Sequence, residues 1–505
     1  MPETRQASEL TSERTVHGGL TVNESGIDLR PDPSRVITRL FVPGREDVGP
    51  GDSRATPVID RILQLDDASV DRALADVDTR FADRHRNLHN TFIEHSTVVT
   101  LRLDEHESLS ESRLLLLGAS FTHEYAIEGA ALCNPSAVLH PHPDQQDGTQ
   151  FIMSVRGIGE GHRSSIGFRT GRLSTDGTVT IDQPGKFPAI SSSTPGVHHR
   201  EVFSAKLTEM SDDRENAAYV LDALPEVFDT VDLEAQIDSL AADSATRRRI
   251  DSTIGNLRDL AHCSYQTTFP DETHESERVL WPQAPAERQG MEDARFVRFT
   301  ANDGTVTYYA TYTAFDGINV SQQLLTTVDF QHFTASPMAG SAATGKGLAL
   351  FPRMIKGMYV ALSRSDRESN AIAFSDDLFC WPTSELLQIP IETWEILQLG
   401  NCGSPIETSA GWLVVTHGVG PMRTYSLGAI LLDLDDPRIV LARTTEPIMT
   451  PDNDRRNGYV PNVMYSCGGF AHHDTLVLPY GIGDQTISIA TLSISELVAS
   501  MKSCI

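Results

Sequence analysis

The stretch Gly290-Met291-Glu292-Asp293-Ala294-Arg295-Phe296 sets two adjacent carboxylates and a guanidinium at the start of an alternating strand, Val297-Arg298-Phe299-Thr300. An Asp303-Gly304 pair follows, and then Thr307-Tyr308-Tyr309-Ala310-Thr311-Tyr312-Thr313-Ala314, rich in aromatic and β-branched residues. Two such runs around Asp-Gly predict a β-hairpin. An isolated Glu-Asp pair beside a hairpin is more often a solvated turn with a local ion pair than a site. The residues around it decide which reading holds here.

Working outward, five segments share one plan: an apolar strand ending in a polar residue, a loop, a second apolar strand and a turn. They run from Arg156 to Phe168, Tyr312 to Leu325, Arg364 to Phe374, His417 to Leu432 and Tyr480 to Leu492. The last four recur at intervals of 52, 53 and 63 residues, the length of a propeller blade, whereas the first gap is 156. The excess matches the stretch 187–285, where Ala235, Ile237, Leu240, Ile250, Ile254, Leu257 and Leu260 recur at helical intervals. The expectation is a mainly β chain: a five-bladed β-propeller with a helical insertion between blades 1 and 2.

Ahead of the repeat, residues 1–35 read as a loose or extended arm. Apolar spacing from Pro57 to about Val98 predicts helices, with Asp66, Asp67 and Ser69 as N-cap material for the middle one. Leu114–Leu117 reads as the start of the strands. The expected division is an arm and helical extension over 1–115, a first blade over 116–186, the insertion over 187–285 and the other blades over 286–505.

Composition narrows the function. At 505 residues and 39% hydrophobic content the chain can build a substantial core. A net charge of −28 makes nucleic acid and anionic membranes poor partners, and an anionic substrate would need a locally basic site. The six cysteines, at 133, 263, 380, 402, 467 and 504, show no metal-ligand spacing and read as free thiols. No apolar leader or spanning run stands out, so a cytoplasmic protein is expected.

The order of motifs resembles glycoside hydrolase family 130, the β-mannoside phosphorylases and β-mannosidases. The family pattern Gly-x-Glu-Asp-Pro-Arg appears here with Ala294 in place of proline. Lys346 ahead of Leu350-Phe351-Pro352, Arg364, Ser375-Asp376-Asp377 before Trp381, His417-Gly418-Val419, Leu432-Asp433-Leu434-Asp435-Asp436-Pro437, Pro461-Asn462-Val463 and Tyr480-Gly481 before Asp484 follow in family order. The resemblance covers roughly 116–500 and implies the five-bladed propeller independently of the repeat. It also implies inverting phosphorolysis of β-mannosidic bonds to mannose 1-phosphate, with a water-using inverting β-mannosidase and a non-catalytic glycan-binding propeller as alternatives.

Breaking a glycosidic bond needs a proton for the departing oxygen and a nucleophile at the anomeric carbon. Asp293 matches the family's catalytic aspartate. Glu292 would raise its pKa by like charge and Arg295 would lower it, so the net direction stays open. Lys346, Arg364 and His417 match phosphate-contacting residues, while Gln398 stands where many phosphorylases carry a further lysine. Arg353 could compensate for that loss. If water were the nucleophile, Glu407 is the candidate base. Arg156, Glu292, Arg295, Tyr312 and Asp484 are expected to bind substrate, and Tyr125, Phe315, Trp412 and Tyr480 offer further aromatic faces for sugar. No metal and no organic cofactor is implied; inorganic phosphate would be the co-substrate. The partners are a small oligosaccharide and phosphate, with room for a homo-oligomer through the helical segments.

Overall fold

The computed structural model describes residues 13–17, 20–43, 55–101, 109–144, 146–243 and 249–504. The described chain is mainly β and divides into two compact units, one comprising 32–129 with 185–189 and the other the remainder.

The smaller unit carries helices Ala55–Leu63, Asp67–Phe81, Leu88–Thr100 and Glu111–Ser120, with strand Val36–Leu40 paired antiparallel to Thr122–Ala126. Asp66 caps the second helix by accepting from the Ser69 amide, a contact worth about 1 kcal/mol. Ile59, Val70, Leu74, Val99, Leu117 and Phe121 form its core. The strands expected from Leu114 begin later. Ser110 caps a helix through the Arg113 amide, and the Arg113 guanidinium bonds the Ile62, Leu63 and Leu65 carbonyls. An apolar run of four fits either element, and here the cap decides it.

In the larger unit, five antiparallel groups of four strands follow one another. The first is Ala131–Leu139, Thr149–Ile158, Ser164–Leu173 and Val179–Ile181. The second is Gly290–Thr300, Val306–Phe315, Val320–Thr327 and His332–Pro337. The third runs from Ala349–Leu350 through Tyr359–Ser363 and Asn370–Ser375 to Ser384–Gln388. The fourth joins Gln398–Asn401, Gly411–Gly420, Thr424–Leu432 and Val440–Arg443. The fifth has Met464–Tyr465, Thr475–Ile482 and Thr486–Ser493, and its fourth strand comes from the other end of the chain: Leu20–Glu24, with Val22 opposite Leu492. Residues expected to form a loose or extended arm are thus partly a paired strand, because Leu20 and Val22 alternate into a core with Leu413, Leu476, Leu478 and Leu492.

Within 187–285, helices Arg200–Glu209, Arg214–Leu221, Thr230–Ala242 and Ile250–His262 enclose their own core around Phe203, Leu233, Ile237 and Leu257. The stretch is not helical throughout. Tyr265–Thr268 pairs with the last strand of the second group, and Ser192–Pro195 pairs with Tyr265–Thr268 in turn. Residues 130–184 and 190–505 fall in one compact unit.

Candidate active site

Strand Gly290–Thr300 does not run evenly. Glu292 pairs with Thr313 and Arg295 with Thr311, so Asp293 and Ala294 together oppose the single residue Tyr312. This is a β-bulge, and Asp293 takes a left-handed φ of +54° within it. The first group repeats the device. Cys133 pairs with Arg156 and Ser136 with Ser154, leaving Asn134, at φ +48°, and Pro135 opposite Val155. The Ser136 hydroxyl accepts from the Phe296 amide at 3.0 Å, which joins the two bulges. A bulge re-aims one side chain out of the pleat, and both Asn134 and Asp293 line one cavity of about 510 Å³. That volume suits a small ligand.

The same cavity collects Arg156, Arg295, Lys346, Arg364, His417 and Asp484 from six different segments of the chain. Arg156 donates to Glu292 Oε1 at 2.6 Å and to Asp293 Oδ1 at 3.4 Å. Lys346 Nζ reaches the other Glu292 oxygen at 2.6 Å. Glu292 therefore orients two cations that act on Asp293. Arg295 is fully buried, and its three nitrogens donate to the Cys402 carbonyl, the Asp293 carbonyl and the Tyr465 hydroxyl, each at 2.9 Å. It fixes the bulge rather than offering itself to a ligand. Among the described residues the Arg364 side chain donates to the Leu399 and Arg367 carbonyls alone, both at 3.2 Å. A Cβ on Gly400 would lie 2.2 Å from Arg364 Nε, so any side chain there would displace the guanidinium from this position.

The electrostatics resolve the direction left open for Asp293. Burial pushes its pKa up, but Lys346, Arg156, Arg295 and Arg364 together hold it below the ordinary carboxylate value. Asp484 differs: burial raises it to about 6, with Asp293 and Glu292 adding to the rise and Arg156 and Arg423 opposing it. His417 is kept neutral by burial and by Arg364 and Arg295. Three buried polar atoms on the cavity wall, Asn134 Oδ1, Arg156 Nε and His417 Nδ1, have no hydrogen-bond partner among the described residues. Unsatisfied polar atoms converging on one cavity mark a place for a polar ligand.

Several expected residues lie elsewhere. Tyr312 is fully buried, and its hydroxyl is held by Glu287 in a network with Tyr265. Glu407 and Arg353 form a bidentate pair at 2.7 and 2.9 Å beside a different cavity, lined among others by Pro352 and Ile406. Glu407 is thus removed from Asp293, and Arg353 cannot supply the charge missing at Gln398, which does line the cavity. Trp412 is core, and Tyr480 is buried against Glu24 and Arg455. The aromatic residues on the cavity wall are Tyr425 and Tyr465, which flank His417 at ring separations of 5.9 and 4.8 Å. Sequence reasoning missed both, along with Asn134, Arg367 and Arg423. Asn134 alone had a readable signal, since Pro135 directly after it, inside a strand, points to an edge or a bulge.

A family model described as β-1,4-mannooligosaccharide phosphorylase, glycoside hydrolase family 130, matches residues 262–503. A 1,2-β-oligomannan phosphorylase of Thermoanaerobacter sp. (strain X514) is 35% identical over 43% of this chain and 73% of its own length. A β-1,2-mannobiose phosphorylase of Listeria innocua is 32% identical over 46% of this chain and 65% of its own. The solved complex of a Listeria innocua enzyme of that name with β-1,2-mannobiose superposes with a TM-score of 0.45 at 22% identity, covering 79% of this chain and 95% of that one. With the Glu292-Asp293-Arg295 bulge in place and a relative matched over most of its length, the chain belongs to glycoside hydrolase family 130 and is an enzyme acting on glycosides.

Proposed function

We propose that the protein cleaves β-mannosidic bonds by inverting phosphorolysis, giving mannose 1-phosphate. The observation that carries this reading is one cavity holding a buried carboxylate, Asp293, together with Arg364, a cation that forms no ion pair within 4 Å among the described residues. A phosphate dianion needs such cations, and charge-assisted bonds to them contribute about 1.5–3 kcal/mol each. Arg364, Lys346 and neutral His417 hold the phosphate, while Arg156, Asn134 and Asp484 take sugar hydroxyls. Asp293 supplies the proton for the departing oxygen. The separation of Glu407 from the cavity leaves the hydrolytic alternative without its candidate base. The names of the relatives, all mannoside phosphorylases, point the same way.

The five strand groups read as blades of one five-bladed propeller, the last completed by Leu20–Glu24 and the helices 200–262 inserted between the first and second. Phosphate is a co-substrate and no organic cofactor is required. No described helix is long and apolar enough to cross a membrane, and a cytoplasmic setting suits free thiols.

The test is incubation with β-1,2- and β-1,4-mannobiose, with and without phosphate, following mannose 1-phosphate and free mannose. Sugar phosphate formed only with phosphate present is the expected result. Equal mannose release in both conditions would make the enzyme a hydrolase.

A further inference from the structure

Two arginines of the cavity wall, Arg367 and Arg423, have guanidinium groups to which the proposed reaction gives no role. Both side chains are exposed and both line the cavity that holds Asp293. Both also sit in left-handed backbone, at φ +67° and +55°. Arg423 ends the turn Pro421–Arg423 between two paired strands, where Met422 is left-handed too, at φ +58°. Glycine or asparagine takes such positions at less cost, so an arginine there is a choice that backbone conformation does not explain.

The charges sort themselves. Arg156 and Lys346 are tied to Glu292, and Arg295 to protein oxygens. Neither Arg367 nor Arg423 forms an ion pair among the described residues, and the nearby Asp484 feels Arg423 without pairing with it. The two are also joined to the interior. The Arg367 carbonyl accepts from Arg364 Nη2, and the Arg423 guanidinium lies 5.8 Å from the centre of the Tyr425 ring, whose hydroxyl accepts from Gln398 Nε2 at 3.4 Å. A protein of net charge −28 repels a phosphate dianion, yet screening confines that repulsion to about 8–10 Å at ordinary salt. Cations on the rim then set the local potential.

We propose that Arg367 and Arg423 are specificity-determining residues that capture inorganic phosphate at the mouth of the cavity and deliver it to Arg364. The proposal rests on the phosphorolysis reading. Uncompensated guanidinium forks favour an oxyanion over a neutral sugar hydroxyl, so their effect falls on phosphate and not on the mannoside.

The test uses Arg367→Gln, Arg423→Gln and the double variant, with the surface residue Arg438→Gln as a control for loss of one charge. KM for phosphate and for mannobiose are measured at low and high salt, and binding of inorganic phosphate alone is measured by calorimetry. The double variant is expected to raise KM for phosphate by roughly 5- to 20-fold, shift KM for mannobiose less than twofold, and flatten the salt dependence of kcat/KM for phosphate. Arg438→Gln should leave these values at wild type. A rise in KM for mannobiose with KM for phosphate unmoved would overturn the proposal and assign the pair to the sugar. If wild type shows no phosphate-dependent turnover, the phosphorolysis reading fails by itself and the calorimetry decides this proposal. At least fivefold weaker phosphate binding in the double variant upholds capture, and equal affinity refutes it.

Discussion

At the scale of single residues, Asp293 presents an apparent contradiction: it is the proton donor of the proposed reaction, yet four cations hold it ionised. Burial is the largest influence on it and acts toward protonation. A phosphate dianion beside Lys346 and Arg364 would cancel much of their pull and let burial prevail. Phosphate binding should therefore draw a proton onto Asp293. Calorimetry in buffers of different ionisation enthalpy, near pH 6, should show more proton uptake in wild type than in Asp293→Asn, because the titration of phosphate itself is common to both. Identical uptake would mean that Asp293 does not gain a proton when phosphate binds. Asp484 has the opposite sign. Its folded pKa of about 6 lies above the ordinary aspartate value of 3.8, so the folded state binds more protons between those limits and stability falls as pH rises through that window. The shift corresponds to about 3 kcal/mol. Asp484→Asn should accordingly gain in thermal stability relative to wild type between pH 4 and pH 7, at the expense of substrate binding. A stability difference that does not change with pH would show that Asp484 does not titrate there.

The element that makes the site is the bulge. Asparagine already occupies the matching left-handed position in the first group, at Asn134, so Asp293→Asn should keep the backbone intact. Melting within about 2 °C of wild type together with at least ~10²-fold slower turnover is the expected pair of results. Activity within a few-fold of wild type would remove Asp293 from the mechanism. The bulge was not legible in the sequence, because the polar pair Glu292-Asp293 interrupts the alternation without showing that the strand pairing shifts there. The motif itself was legible, since Glu292, Asp293 and Arg295 stand out against the strand. Tyr312 misled because its place in the repeat matches Arg156 and His417, while its hydroxyl is claimed by Glu287, a partner no repeat could reveal. Arg367 and Arg423 stayed hidden because turn arginines ordinarily face solvent.

Across the whole molecule, the repeat of about one blade length was readable and corresponds to four of the five strand groups, with the first set apart by the helices 200–262. The strand Leu20–Glu24 was not readable as part of a sheet. It is five residues long and pairs with Thr486–Ser493 at the far end of the chain. Its contribution can be tested, because Val22 is 1% exposed in the core of the fifth group. Val22→Asp would bury an unpaired carboxylate at a cost of about 3 kcal/mol or more, enough to lower the melting temperature by several degrees. An unchanged melting temperature would show that this strand does not complete the group. All these parts serve one chemical claim: phosphate attacks the anomeric carbon from the face opposite the departing sugar, within the cavity of Asp293 and Arg364. The most direct measurement is the configuration of the sugar phosphate formed from β-mannobiose, followed by proton and phosphorus NMR as it accumulates. The account predicts α-mannose 1-phosphate, produced only while phosphate is consumed; the β-anomer, or free mannose with phosphate untouched, would contradict it.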